Sequence, residues 1–88
     1  ALAAAGTAEG LPADLAMKLA LVTIAGAGDL AENAADDPTR LRVNVTSPGG
    51  TTAAALQVLM DKKAGFPALL KNAVGAAAAR SRELGKDA

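Results

Sequence analysis

The chain has 88 residues, with nine Lys or Arg balanced by nine Asp or Glu, and it contains no His, Cys, Trp or Tyr and a single Phe. These absences exclude disulfides, zinc sites built on Cys or His, and Ser-His-Asp or Cys-His nucleophiles assembled from this chain alone. A neutral chain with one aromatic residue also lacks the basic field and the stacking surfaces used in nucleic-acid binding, so we expect no metal and no nucleic-acid partner.

Alanine dominates the composition, with 24 residues, and it is the best helix former. Helices rich in Ala approach closely but bury little area, and a chain this short buries only about 60–65% of its unfolded surface. We therefore expect a partner chain to supply part of the core. The most apolar run, residues 19–28, is shorter than the ~20 residues of a membrane span, and no signal-peptide pattern is visible. The sequence predicts a cytoplasmic protein with no membrane partner.

The first half of the chain predicts two helices. Residues 1–5 are typical of the last turn of a helix capped by Gly6, so we expect a fragment that begins inside an element. A second helix is predicted to start with Pro12 at its first position and Asp14 in its first turn, and to run to about Ala34. Because residues 15–28 are apolar or small on nearly every side, we expect this helix to be buried all round, with Gly26 and Gly28 permitting close helix contacts.

The second half predicts a turn between further helices. Pro38 interrupts the helical pattern, and residues 39–45 fit either a strand or a short helix, because apolar residues alternate there. Residues 47–50 predict a turn, followed by a helix from Thr51 to about Lys63 that Gly65 ends. The last helix is predicted from Pro67 to about Leu84, with Gly85 as its cap. The fold class is therefore all-α, with four to five helices.

A nucleotide-binding interpretation competes with this assignment. If residues 19–24 formed a strand, the run from Gly26 through Gly28 to Ala31 would match the fingerprint G-x-G-x-x-G/A, with residues 40–46 as the next strand. The helix between those strands would be very short, and no acidic residue follows the second strand to hold a ribose. We favour glycines inside a packed helix.

One segment, Val45 to Thr52, has the composition of a small anion site. Hydroxyl side chains and two glycines lead directly into a predicted helix, whose first turn offers unpaired N–H groups and partial positive charge. Glycines allow a ligand to approach the backbone, so the pattern suits a carboxylate. The simpler alternative is structural, with Ser47 or Thr51 capping the helix, Pro48 fixing the turn, and no ligand.

Several segments resemble the pyrroline-5-carboxylate reductases in order and rough spacing. They are Gly10-Leu11-Pro12, residues 15–28, Val45-Thr46-Ser47-Pro48-Gly49-Gly50-Thr51-Thr52, and residues 77–84, which end in Arg80-Ser81-Arg82-Glu83-Leu84. The run from Thr46 to Thr52 is the specific part, and the resemblance covers nearly all 88 residues. It implies an oxidoreductase of proline biosynthesis that reduces 1-pyrroline-5-carboxylate to L-proline with NADPH or NADH.

The resemblance also implies a domain organisation and site roles. Residues 1–88 would be the C-terminal helical dimerisation and substrate domain, truncated at its N-terminus, whose helices interlock with a second chain in a homodimer and possibly in a higher oligomer. By position, the Ser47 hydroxyl and the backbone N–H groups of Gly50, Thr51 and Thr52 would hold the substrate carboxylate. The Thr52 hydroxyl would assist protonation of the imine.

Departures from the family pattern limit what this chain is expected to do alone. The N-terminal dinucleotide-binding domain, which would bind most of the cofactor, is absent, so the chain alone is expected to be inactive. Val43 stands where the family commonly has Asp. The alternative to a reductase domain is a free-standing helical dimerisation or interaction module without a catalytic role.

Overall fold

A computed structural model describes residues 1–87 and contains five helices in that part of the chain. They are α1 (Leu2–Ala8), α2 (Ala13–Asn33), α3 (Pro38–Asn44), α4 (Thr51–Leu59) and α5 (Phe66–Asp87). The described residues form no strand, which confirms the all-α prediction. The nucleotide-binding alternative is wrong, because Gly26 and Gly28 both lie inside α2. The chain divides into two compact units, Ala1–Val43 and Asn44–Ala88.

In the first unit, α1 packs against α2 at a glycine. A Cβ built on Gly6 would lie 3.3 Å from Leu11 Cδ1 and 3.4 Å from Ala16 Cβ. Gly6 therefore permits close packing inside α1, and its predicted role as a cap is wrong. The helix ends later, at a Schellman motif in which Gly10 has a φ of 105°. There the N–H of Gly10 donates to the carbonyl of Thr7 at 3.0 Å, and that of Leu11 to Gly6 at 3.1 Å.

The second helix has its predicted ends within one residue, but Pro12 is its N-cap rather than its first helical residue, and the expected burial on all sides is wrong within this chain. Pro12 immediately precedes α2 in an extended conformation, and its carbonyl accepts the N–H of Ala16 at 2.9 Å. The helix ends at Asn33, one residue before the predicted end. Its buried residues are Ala16 and Ala20, which are small, so α1 and α2 approach closely while burying little apolar area.

A side-chain cap resolves the helix-or-strand ambiguity after Pro38 in favour of a helix. The Asp37 carboxylate accepts the N–H of Arg40 at 2.9 Å, and the Asp37 carbonyl accepts that of Leu41 at 3.0 Å. Asp37 is therefore the N-cap of α3, and Pro38 occupies the first helical position, where its missing N–H costs nothing.

In the second unit, α4 ends at Leu59, four residues before the predicted end. The Asp61 carboxylate instead accepts the N–H groups of Lys63 at 3.0 Å and Ala64 at 2.8 Å, which holds a turn. The last helix, α5, begins at Phe66 rather than Pro67 and continues through Gly85 to Asp87. The prediction that Gly85 caps this helix is therefore wrong.

Neither unit encloses a core of large side chains. Among the described residues, the buried apolar residues are Ala16 and Ala20, whereas 19 large apolar side chains are exposed. This exposure agrees with the expectation that a partner supplies the rest of the core, although the interlocked dimer itself remains a prediction. Within residues 1–87, no helix combines the length and the apolar character needed to cross a bilayer.

Candidate functional site

A tight turn brings the chain to the start of α4. The N–H of Gly50 donates to the carbonyl of Ser47 at 3.0 Å, which closes a four-residue turn. Pro48 occupies its second position, and Gly49 occupies the third with a φ of 72°. This arrangement is a type II turn, in which Pro presets one dihedral angle and Gly adopts the left-handed conformation at no steric cost.

Gly50 occupies the N-cap position of α4 in an extended conformation, with φ −85° and ψ 179°. Because Gly has no side chain, no side-chain hydrogen bond caps the helix. The structural alternative predicted that Ser47 or Thr51 caps the helix. That prediction is wrong, because Gly50 occupies the N-cap position. The first intrahelical bond runs from the N–H of Ala54 to the carbonyl of Gly50 at 3.1 Å, which leaves the N–H groups of Thr51, Thr52 and Ala53 pointing out of the helix start.

An open cavity of about 190 Å³ lies at this helix start and is lined by Val45, Ser47, Gly50, Thr51 and Thr52. The structure thus brings together all four residues that the sequence singled out as substrate contacts. Thr52 is half-buried there, whereas Ser47 and Thr51 are exposed.

The structure adds two details that the sequence analysis missed. Val45 lines the cavity, although only the hydroxyl and glycine residues had been assigned roles. Its position immediately before Thr46 and Ser47 was the available signal. The N–H of Gly50, expected to contact a ligand, is instead engaged by Ser47 within the turn. The backbone donors left at the helix start therefore belong to Thr51 and to the residues that follow it.

The cavity offers neutral donors and no charged side chain. Its positive potential comes from the N-terminus of α4, which carries about half an elementary charge. Such a site suits a small monoanion held by N–H and hydroxyl groups. In the described part of the chain, no group of three or more acidic residues is placed to hold a metal ion.

The charged residues Lys62, Lys63, Arg80 and Glu83 lie on the surface. Arg80 and Glu83 form an ion pair at 2.8 Å within α5, and both side chains are 63% exposed. An exposed pair of this kind contributes between ~0 and 1 kcal/mol. Lys62 and Lys63 are exposed as well. These charges therefore give no sign of a second polar site.

Comparison with known proteins finds similarity over almost the whole chain. A family model described as pyrroline-5-carboxylate reductase dimerisation matches residues 1–84. A pyrroline-5-carboxylate reductase of Pisum sativum is 52% identical over 84 residues, which cover 96% of this chain and 30% of the relative. A protein of the same name from Synechocystis sp. is 46% identical over 86 residues, covering 98% of this chain and 32% of the relative. The chain therefore spans under a third of the length of these relatives.

Proposed function

Because the chain belongs to the pyrroline-5-carboxylate reductase dimerisation family, we propose that it pairs with a second copy of itself and holds the substrate carboxylate within a longer reductase. The family description supports self-association. The proposed reaction reduces the C=N bond of 1-pyrroline-5-carboxylate to give L-proline. The observation that carries the site assignment is the cavity at the start of α4, where Ser47, Thr51 and Thr52 meet.

The substrate carboxylate is held at the start of α4 in this proposal. The backbone N–H groups of Thr51 and Thr52 have no acceptor within the helix, because the first intrahelical bond begins at Ala54. The Ser47 hydroxyl, from the first residue of the turn, supplies a side-chain donor at the same cavity. Gly50 has no side chain that would block a ligand from the helix start. Its N–H donates to the Ser47 carbonyl and so stabilises the turn. Positioning the carboxylate in this way orients the attached ring for reaction.

Thr52 has a second role in the proposal, through its hydroxyl. Reduction adds a hydride to the imine carbon, and the ring nitrogen takes up a proton that comes from solvent, so that the C=N bond becomes a CH–NH bond. A hydroxyl that donates a hydrogen bond to this nitrogen stabilises the charge that shifts there during hydride addition. Thr52 is half-buried at the cavity, so this hydrogen bond would form with partial exclusion of water.

A nicotinamide cofactor, NADPH or NADH, supplies the hydride when it is bound. The residues described here do not fit a dinucleotide site, because Gly26 and Gly28 lie inside a helix and no strand precedes them. We therefore propose that the cofactor is held mainly by parts of the enzyme outside residues 1–87. We also propose that the enzyme works in the cytoplasm.

A chimeric enzyme tests this proposal. Residues 1–84 of this chain replace the matched region of the Pisum sativum relative, and NADPH-dependent reduction of 1-pyrroline-5-carboxylate is measured. We expect an active chimera in which Ser47→Ala raises KM about tenfold or more, because a hydrogen bond to a charged group is lost. Ser81→Ala, at an exposed position in α5, is the control and should leave KM unchanged.

Two results would contradict the proposal. One is a folded, dimeric chimera that reduces no substrate. The other is an active chimera in which Ser47→Ala and Ser81→Ala have the same KM. Either result would favour the alternative of a helical interaction module whose turn before α4 has only a structural role.

A further inference from the structure

Gly50 is a glycine that its own backbone conformation does not require. Its φ of −85° and ψ of 179° are accessible to any residue, in contrast to the φ of 72° at Gly49. It occupies the N-cap position of α4, where the side chain of Ser, Asp or Asn would supply the capping hydrogen bond that this helix lacks. The reason for a glycine at this position therefore lies in its surroundings.

The space beside Gly50 is taken up by Ser47. The three heavy atoms nearest to a Cβ built on Gly50 all belong to Ser47, with the carbonyl oxygen at 3.2 Å, the Cβ at 3.4 Å and the carbonyl carbon at 3.9 Å. The shortest of these distances is tighter than an ordinary contact, so a side chain at residue 50 would displace Ser47 by a few tenths of an ångström. The same carbonyl oxygen accepts the N–H of Gly50 at 3.0 Å, so the two residues are already joined across the turn.

A displacement of Ser47 would reach the cavity at the start of α4. Pro48 has a fixed φ, and Gly49 is held in the left-handed conformation, so the turn has few other shapes and Ser47 moves together with it. The Ser47 side chain lines the cavity, and its hydroxyl is attached to the Cβ that a side chain at residue 50 would crowd. Binding groups must be held to within about 0.5 Å of their productive positions, so a small shift weakens a hydrogen bond to a ligand.

We propose that Gly50 is a positioning residue for the substrate, because its missing side chain leaves Ser47 free to hold its hydroxyl at the cavity. Gly50 acts on the substrate carboxylate through Ser47, and not through its own N–H, which is engaged in the turn. This inference rests on the proposed function, in which Ser47 binds the carboxylate. It adds the residue that sets the position of the Ser47 hydroxyl.

A double-mutant cycle in the chimeric enzyme tests this coupling between Gly50 and Ser47. We expect Gly50→Ala to raise KM about fivefold and to change kcat by less than about twofold, because substrate binding is weakened and the reacting centre is not touched. In the Ser47→Ala background, the same substitution should change KM by less than about twofold, because no hydroxyl remains to be displaced. In the Ser81→Ala background, which is the control, Gly50→Ala should keep its full effect on KM.

The stability of the same variants separates positioning from a purely structural role. The Ser47→Ala substitution keeps the carbonyl oxygen and the Cβ that a side chain at residue 50 would crowd. Urea denaturation should therefore show the same loss of stability for Gly50→Ala with and without the Ser47 hydroxyl, whereas the effect on KM should depend on that hydroxyl. If Gly50→Ala gives too little folded enzyme, Gly50→Ser introduces the same Cβ together with a hydroxyl that can cap α4, and the same cycle is measured with it.

Two results would overturn the proposal. One is an unchanged KM for Gly50→Ala. The other is an equal rise in KM with and without the Ser47 hydroxyl, which would mean that the added methyl group acts on the ligand or on the helix start directly. Both differ from a failure of the proposed function itself, in which Ser47→Ala and Ser81→Ala have the same KM; that result would overturn the site and this inference together.

Discussion

Gly49 and Gly50 are adjacent glycines with different structural roles before α4. Gly49 has a φ of 72°, a conformation that costs an L-residue about 1–2 kcal/mol. Gly50 has an ordinary φ, but a Cβ there would lie 3.2 Å from the Ser47 carbonyl oxygen and 3.4 Å from the Ser47 Cβ. One glycine therefore shapes the turn, and the other leaves room beside Ser47 at the cavity.

The proposal gives the Thr52 hydroxyl a role in the reaction and gives the Thr51 hydroxyl none. Replacing each threonine by valine tests this difference. In the chimeric reductase, we expect Thr52→Val to lower kcat about 10²-fold, because one hydrogen-bond donor to the reacting centre is lost. Thr51→Val is the matched control. It keeps the backbone N–H that is proposed to bind the carboxylate and removes an exposed hydroxyl, so its kcat should be close to wild type. Steady-state kinetics that gave equal losses for both variants would contradict the assigned role of Thr52.

At the scale of elements, the connection from α4 to α5 depends on a crowded glycine. A Cβ on Gly65 would lie 2.5 Å from the nitrogen and the oxygen of Asp61 and from the oxygen of Leu59. All three neighbours are backbone atoms, so relief requires the turn itself to move. The hydrogen bond from the N–H of Gly65 to the Asp61 carbonyl, at 2.9 Å, belongs to the same turn.

We therefore expect Gly65→Ala to lower the free energy of unfolding by about 2 kcal/mol or more, since overpacking against backbone typically costs 1–3 kcal/mol. The comparison is Gly85→Ala, which lies inside α5 in open space and should raise that free energy by up to about 1 kcal/mol. Urea denaturation followed by circular dichroism at one protein concentration measures both. A Gly65→Ala variant as stable as Gly85→Ala would mean that the turn adapts freely.

Elements whose ends depend on local chemistry were predictable from the sequence. The start and end of α2 were predicted within one residue, because Pro12 and the break before Pro38 act locally. The turn at residues 47–50 was predicted for the same reason, and the substrate site beside it remains a proposal.

Ends decided by packing or by competing side-chain hydrogen bonds were not predictable. Gly6 has the sequence signature of a cap, and only its contact with Ala16 shows that it serves packing. The helix α4 ends before its predicted end, where the Asp61 carboxylate accepts hydrogen bonds from two backbone N–H groups. The spacing of apolar residues does not predict such hydrogen bonds. Val45 was missed because its place at the cavity depends on how the turn folds back.

For the whole molecule, the exposure of apolar side chains leads us to predict that folding and association are coupled. Each unit orders its helices while burying little apolar surface, with Ala16 and Ala20 as the buried apolar residues of the described chain. Fixing a residue's backbone costs about 1–2 kcal/mol, and isolated helices are only marginally stable in water. Burial of 19 exposed large side chains at an interface between copies would offset this cost.

This coupling predicts that stability depends on protein concentration. Mass action favours a folded dimer at higher concentration, so the midpoint of thermal unfolding should rise by several degrees between about 1 and 100 μM chain. Circular dichroism at both concentrations measures the shift. An unchanged midpoint with cooperative unfolding would show that a single chain folds without its partner.

The most direct test of the central claim, that this chain is a dimerisation domain, is its mass in solution measured by light scattering. We expect about twice the 8.6 kDa mass of one chain at micromolar concentration, with the helical content of the folded protein. A stable, helical monomer of 8.6 kDa over the same range would contradict it. In that case the exposed apolar side chains of α2 and α5 would have to be covered by something other than a second copy.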